Sequence, residues 1–348
     1  VPQFQALGFK YQLGVSNLIF PSATHTRKQH SLGAFKRTQE LSNRWVRSGF
    51  INNEEAKLLC AFALWHDIGH GPFSHALENC LVYGFSHEHL SNLFMERLNK
   101  EFRGKLKLSI EIFKNKYHKK FLHQLVSSQL DVDRLDYLKR DSFFTGVSEG
   151  IIGTERIIKM MNVAKDKLVI EAKGIYSIEK FIIARRLMYW QVYLHKTVIA
   201  AESLLIKILQ RAKYLTENGT KLFVPLALNE FLNNRYNKYD FHQNPDLLET
   251  FAKLDDYDIL CAIKAWCSTK DSVLSNLCTS LVNRQLFHVE IQKRPFSKKY
   301  IESVNHKVAL VYGIQPKDVQ YFVFSDKVEN NAYDSQQHKI NILFKDGS

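Results

Sequence analysis

Leu64-Trp65-His66-Asp67-Ile68-Gly69-His70-Gly71-Pro72-Phe73-Ser74-His75 is the stretch on which the fold turns. It joins an adjacent histidine and aspartate to two further histidines across a helix break. Residues 52–68 open with a capping asparagine, Asn52, carry Glu54 and Glu55 in the first turn, and space Leu58, Leu59, Phe62 and Ala63 at helical intervals. His66 and Asp67 therefore fall near a helix C-terminus. Gly69, Gly71 and Pro72 predict that this helix stops and that another begins near Pro72, where proline suits the first turn. His75 lies in that new first turn. Glu78 follows at i+3, close enough to accept from the imidazole and fix its tautomer.

A histidine-aspartate pair is weak evidence in a chain with 14 histidines, so its neighbours decide its meaning. Upstream stands Arg27-Lys28-Gln29-His30-Ser31-Leu32-Gly33, a histidine just ahead of an apolar helical run. Downstream come Ser86-His87-Glu88-His89 and then Asp131-Val132-Asp133-Arg134-Leu135-Asp136-Tyr137-Leu138-Lys139-Arg140-Asp141. A helix through this last segment places Asp133, Asp136 and Tyr137 on one side and Asp141 a turn further on. Together these segments offer two imidazoles and two carboxylates to a divalent cation, with arginines nearby for an anionic substrate.

At these residues the chain resembles the HD-domain phosphohydrolases, and within them the deoxynucleoside triphosphate triphosphohydrolase branch. The likeness runs from Pro2-Gln3-Phe4-Gln5 and Gln12-Leu13-Gly14 through Phe20-Pro21, His30 to Gly33, His66 to His75 and Asp131 to Asp141, and more faintly into Tyr193-Leu194-His195-Lys196. It implies metal ligation by His30, His66, Asp67 and Asp133. It implies catalysis by His75 paired with Glu78, where activated relatives usually carry aspartate, and phosphate contacts from His70 and His87. By the same resemblance Arg27 and Arg134 hold phosphate oxygens, Gln12, Tyr137 and Asp141 face sugar or base, and Arg185, Tyr193 and Lys196 approach from a later helix. Relatives switched on by nucleotides carry arginine at the position of Gly8, so that style of activation is absent or differently built here.

The chemistry of the residues agrees. Two histidines and two aspartates leave coordination positions open for water and a phosphate oxygen, as a catalytic site requires. Manganese, iron, zinc or magnesium all suit such mixed ligands, and additional magnesium is compatible with a nucleotide substrate. The resemblance, rather than the ligand chemistry, implies hydrolysis of a dGTP-like deoxynucleoside triphosphate to deoxynucleoside and triphosphate. The same ligands also serve an HD-type phosphatase or phosphodiesterase acting on another nucleotide, and a non-catalytic nucleotide sensor or nucleic-acid-binding protein is the contrasting class. Plainer readings stand beside these: a dipole-facing His66, a surface pair of His75 with Glu78, and a charged helix face across residues 131–141.

With 348 residues and 45% hydrophobic content the chain supports a large core. The fold class expected is mainly α: an HD-type helical bundle over residues 1–283 and a small α/β appendage over 284–348. Helices are expected over 88–102, 110–128, 154–163 and, with few breakers, 177–215, with a strand-like segment near 168–171. In the appendage, residues 286–291, 321–324 and 340–344 alternate like strands whose edges are open to a second subunit, and 297–312 reads as a helix. The resemblance implies a dimer or tetramer.

A net charge of +13 and a pI near 9.3 suit anionic ligands. Lys105, Lys107, Lys114, Lys116, Lys119 and Lys120 form the densest basic cluster, read here as a solvated face; nucleic acid is a secondary partner class behind a nucleotide substrate. Five cysteines without CxxC spacing suit a reducing cytoplasm. No run of apolar residues is long enough to span a membrane. The first residues already read as domain sequence without an initiator methionine, which predicts that the natural chain begins upstream.

Overall fold

The computed structural model describes residues 1–73, 82, 84, 86–328 and 339–347. Helices dominate them, in the order α1 (Pro2–Ala6), α2 (Arg27–Arg47), α3 (Asn53–Trp65), α4 (His87–Glu101), α5 (Lys107–Phe113), α6 (Lys120–Gln124), α7 (Val132–Thr145) and α8 (Thr154–Met160). A hairpin of β1 (Met161–Ala164) and β2 (Lys167–Glu171) follows, then α9 (Ile175–Met188), α10 (Lys196–Glu217), α11 (Leu226–Asn233), α12 (Lys238–Gln243), α13 (Pro245–Lys253), α14 (Asp256–Trp266), α15 (Ser272–Val282) and α16 (Lys298–Tyr312). The last strand, β3 (Asn341–Leu343), closes the list. The mainly α expectation holds.

Local chemistry starts the helices that matter. Thr26 and Gln29 close a capping box ahead of α2, and Asn52 and Glu55 close another ahead of α3, each satisfying main-chain donors that a helix start leaves over. Asp131 caps α7 by accepting from the Arg134 amide, and Gly146 ends it in a left-handed conformation, φ 75°. Apolar stripes then pack these helices. Leu41 and Trp45 of α2, Leu59, Phe62 and Ala63 of α3, and Leu135 and Leu138 of α7 share one core with Phe181, Ala184 and Met188 of α9. A second core gathers α4, α10, α11 and α13 to α15 around Leu204, Leu205, Ile208, Phe231 and Trp266. A fully buried apolar side chain contributes about 1.5–3 kcal/mol, whereas an exposed pair such as Lys139 with Glu155 contributes no more than about 1 kcal/mol. Burial therefore holds the bundle together.

Gly33 lets α2 and α7 meet. A Cβ there would stand 2.0 Å from Asp136 Oδ1 and 2.3 Å from Arg140 Nη2, so only glycine admits the ion pair beneath it. Gly69 does the same beyond α3, where a Cβ would stand 2.2 Å from the Ser91 amide of α4. Both glycines bring the chemistry-bearing helix ends to one point.

Several expectations need correction. Residues 110–128 form not one helix but the end of α5 and the whole of α6, separated by a turn in which Asn115 has φ 53°. The expected 177–215 helix is interrupted by a π turn at Tyr189–Tyr193, after which His195 accepts from the Thr197 amide at 3.2 Å and starts α10 afresh. Residues 286–291 and 321–324 are not strands: alternation alone makes no sheet without a partner edge, and Phe287 instead packs its ring on Phe324 at 5.6 Å. The 340–344 alternation does yield β3, but its partner is β2 of the same chain, in parallel. That strand edge is thus met inside the molecule. Arg211, donating to Asp271 and Asp318, ties the segment after α16 to the second core. Among the described residues no helix is long and apolar enough to cross a membrane.

Candidate metal centre and active site

Three helix ends converge on one point: the start of α2 with Arg27 and His30, the end of α3 with His66 and Asp67, and the start of α7 with Asp133. Helix N-termini carry partial positive charge and C-termini partial negative charge, so α2 and α7 favour an anion where α3 favours a cation. Ser91 of α4 fixes the end of α3, donating to the His66 carbonyl at 2.7 Å and accepting from the Gly69 amide at 2.9 Å.

His30 is fully buried, and its Nδ1 lies 3.0 Å from Asp136 Oδ2. The carboxylate can only accept, so Nδ1 carries a proton and Nε2 is the nitrogen left for a cation. His66 follows the same rule, with Nδ1 donating to the Ala63 carbonyl at 2.9 Å. Both Nε2 atoms are buried without a hydrogen-bond partner. They face Asp133 Oδ1, 2.9 Å from His30 and 3.4 Å from His66, and these three ligand atoms all lie within 4.8 Å of one another. Asp67 borders the same space, with Oδ1 3.3 Å from His66 Nε2 and Oδ2 3.8 Å from His30 Nε2. Buried imidazole Nε2 atoms beside carboxylates, each ring oriented from behind through its Nδ1, are what a divalent cation needs once it displaces their protons. The residues therefore fit the metal.

The charges confirm how tightly the set is coupled. Burial opposes charge on His30, but Asp133 and Asp136 outweigh it and raise its pKa to about 10. His66 is raised too, against burial, by Asp67 and Asp133. Burial opposes charge on Asp133, yet His30 and His66 hold its carboxyl well below the usual range, and His66 and Arg27 lower Asp67 in the same way. Cation binding at such a set displaces protons from the imidazoles.

Of the other expected residues, Arg27 and His70 reach Asp67, and the rest are held as follows. Arg27 is buried and donates to Asp67 Oδ2 at 2.8 Å. The His70 ring stacks on His87 at 3.9 Å, with its Nδ1 3.4 Å from Asp67 Oδ1. Arg134 turns its guanidinium onto Asp131. Tyr137 lies among Arg134, Arg185, Tyr189 and Asp133; burial drives its hydroxyl pKa up while the two arginines oppose the rise. Both Asp141 oxygens are taken, one by His25 Nε2 at 2.7 Å and one by the Tyr193 hydroxyl at 2.8 Å. Tyr193 meets the Tyr137 ring edge-on at 6.2 Å, and Arg185 donates to Gln129 at 3.0 Å. The Gln12 main-chain N–H donates to the His25 carbonyl at 2.9 Å, which holds residue 12 beside the residue just ahead of α2. Lys196 is exposed at the start of α10. His75 and Glu78 lie outside the described residues.

Two groups have a larger part than the sequence suggested. Asp136 orients His30 and is itself gripped by Arg140 at 2.8 and 3.0 Å; its i+3 relation to Asp133 was the available signal. His25 carries Asp141 and stacks on Phe144 at 4.5 Å.

Comparison with known proteins agrees with this geometry. The HD domain profile matches residues 27–141, and that of the HD associated region matches residues 152–222. A crystal structure of a phosphohydrolase from Bacteroides thetaiotaomicron superposes with a TM-score of 0.96 at 51% identity, over 100% of this chain and 87% of that one. The uncharacterized protein YwfO of Bacillus subtilis is 36% identical over 95% of this chain and 75% of its own length. More distantly, the deoxynucleoside triphosphate triphosphohydrolase SAMHD1 homolog of Dictyostelium discoideum is 28% identical over 66% of this chain and 48% of its own.

Proposed function

Because the chain belongs to the HD-domain phosphohydrolase family, we propose that it hydrolyses deoxynucleoside triphosphates, dGTP-like ones first, to deoxynucleoside and inorganic triphosphate. The observation that carries metal-dependent phosphohydrolysis is the pair of tautomer-fixed imidazoles, His30 and His66, whose buried Nε2 atoms face Asp133 without hydrogen-bond partners. His30, His66, Asp67 and Asp133 would hold the cation. Manganese, iron, zinc or magnesium bound there supplies Lewis acidity and lowers the pKa of water.

The chain's own residues do the rest. Arg27 and Arg134 neutralise charge that gathers on the phosphate oxygens, and His70 and His87 line them. Attack of water at the α-phosphorus forms one P–O bond and breaks the bond to the sugar 5′ oxygen, which takes its proton from His75 in this reading, with Glu78 as the expected partner of that histidine. The choice of a deoxynucleotide is supported by the cluster of Tyr137, Tyr193 and Asp141 and by the activity for which the Dictyostelium relative is named. Gln12, Arg185 and Lys196 complete the nucleotide side. Residues 1–283 are the catalytic unit in this reading and 284–348 an accessory segment.

The protein acts as a homo-oligomer in the same reading. Tyr176, Ile183 and Leu187 recur at i, i+7 and i+11 on α9, and all three, with Trp190 beyond them, are exposed. Contiguous apolar surface of this kind marks an interface.

The test is product analysis. Purified protein is incubated with manganese and each deoxynucleoside triphosphate, each ribonucleotide and a generic phosphodiester, and products are resolved by ion exchange. Intact triphosphate is the expected product; stepwise phosphate release or diester cleavage would place the activity elsewhere in the family.

A further inference from the structure

Phe73 is a bulky residue in the left-handed region, φ 49°, where L side chains are strained. Its turn is held from several sides. Its amide donates to Asp256 Oδ1 at 2.8 Å, and its carbonyl oxygen sits 3.3 Å from where a Cβ would stand on Gly14, itself at φ 52°. Three residues earlier, the His70 carbonyl accepts from Lys10 Nζ at 2.8 Å. The other Asp256 oxygen accepts from the Tyr11 amide at 2.7 Å. Residues 10–12 are in turn laid along the start of α2, since the Arg27 amide donates to the Lys10 carbonyl at 2.9 Å and Tyr11 bridges Thr26.

Asp256 and Lys10 are almost completely buried, at 0% and 1% exposure. Burial lifts the Asp256 carboxyl to about 7 against its two main-chain donors and the charges of Lys10 and Arg27, and it draws the Lys10 ammonium down to about 8. Two charged groups are thus buried at a cost, and both reach the same four-residue turn. Neither touches the cation ligands. A core with no positional task would fill this space with apolar side chains.

We propose that Asp256 and Lys10 are positioning residues for the reaction: they lock the strained turn of residues 70–73 so that His70, stacked on His87, is held beside Asp67 for the substrate's phosphates. This rests on the phosphohydrolase reading above and adds to it a second layer supplied from α14 and the N-terminal segment. A misplacement of about 1 Å costs on the order of a hundredfold in rate, so the effect falls on turnover and spares the cation.

The experiment compares Asp256→Asn and Lys10→Met with the unaltered protein by manganese titration, kcat and KM for dGTP, thermal midpoint, and amide hydrogen exchange across residues 70–73. Asp256→Asn keeps one acceptor oxygen and loses the other. The expected result is a ten- to hundredfold fall in kcat, manganese affinity within about threefold of the parent, and faster exchange at Phe73. Lys10→Met, which cuts a different bond to the same turn, produces the same pattern. Unchanged kcat in a folded variant overturns the proposal, as does manganese affinity falling in step with kcat. Should the unaltered protein turn over none of the nucleotides, the phosphohydrolase reading fails by itself. Exchange at Phe73 then still decides the clasp: unchanged protection in both variants overturns it.

Discussion

His30 directs its Nδ1 at Asp136 Oδ2, 3.0 Å away, and that contact decides which nitrogen faces the metal. Groups behind metal ligands typically account for a ten- to hundredfold difference in affinity. Asp136→Asn is therefore expected to weaken manganese binding by about that factor while leaving the helical circular dichroism spectrum intact. Isothermal titration with manganese measures it, and affinity equal to the parent's would remove Asp136 from this role.

Gly33→Ala tests the close approach of α2 and α7. The added methyl meets Asp136 Oδ1 and the Arg140 guanidinium, neither free to leave without breaking the ion pair. A loss of about 1–3 kcal/mol in unfolding free energy is expected, with weaker metal binding because Asp136 moves. Urea denaturation and metal titration of the same sample check both. A stable variant with full affinity would show that the helices adjust independently of the site.

How much of this was legible beforehand follows from the range of each contact. His66, Asp67, His70 and the helix break occupy seven consecutive residues, and Asn52 announces the helix that delivers them, so local chemistry sufficed. His30 and Asp133 stood in motifs of their own with capping residues just ahead. Lys10 and Asp256 left no such trace: Lys10 meets His70 across 60 residues and Asp256 meets Phe73 across 183, and neither lies in a repeating pattern. The misread strands at 286–291 and 321–324 fail for a related reason. Alternation describes a half-buried segment, and side-chain packing of Phe287 on Phe324 satisfies it as well as a sheet does.

Glu55 predicts an acid-sensitive joint. It closes the α3 capping box and accepts from the Tyr117 hydroxyl at 2.7 Å and from Lys119 at 2.8 Å. Burial opposes its charge, but Lys119, the Asn52 amide and Tyr117 lower its pKa below the ordinary glutamate value. A carboxylate lowered on folding contributes stability above its unfolded pKa and loses it as pH falls through the folded value. Glu55→Gln should thus be less stable than the parent near neutral pH, with the gap narrowing as pH falls below about 4. Thermal midpoints across that range test it; a gap that widens in acid would contradict the sign.

The apolar stripe on α9 predicts association. Ile183→Glu with Trp190→Glu should convert an oligomer to a monomer in sedimentation velocity and leave manganese affinity unchanged, because Ile183 on α9 and Trp190 in the turn after it are both exposed, whereas Arg185 is buried. A monomeric parent, or an oligomer that survives both charges, would assign the stripe no such part.

Metal-dependent turnover at His30, His66, Asp67 and Asp133 is tested most directly by one titration. Chelator-stripped protein and its Asp67→Ala variant are supplied with increasing manganese while release of inorganic triphosphate from dGTP is followed. The expected result is turnover that rises from nothing to a plateau with manganese in the parent and stays absent in Asp67→Ala, whose helical spectrum matches the parent's. Turnover in the stripped parent, or equal turnover in Asp67→Ala, would contradict the account.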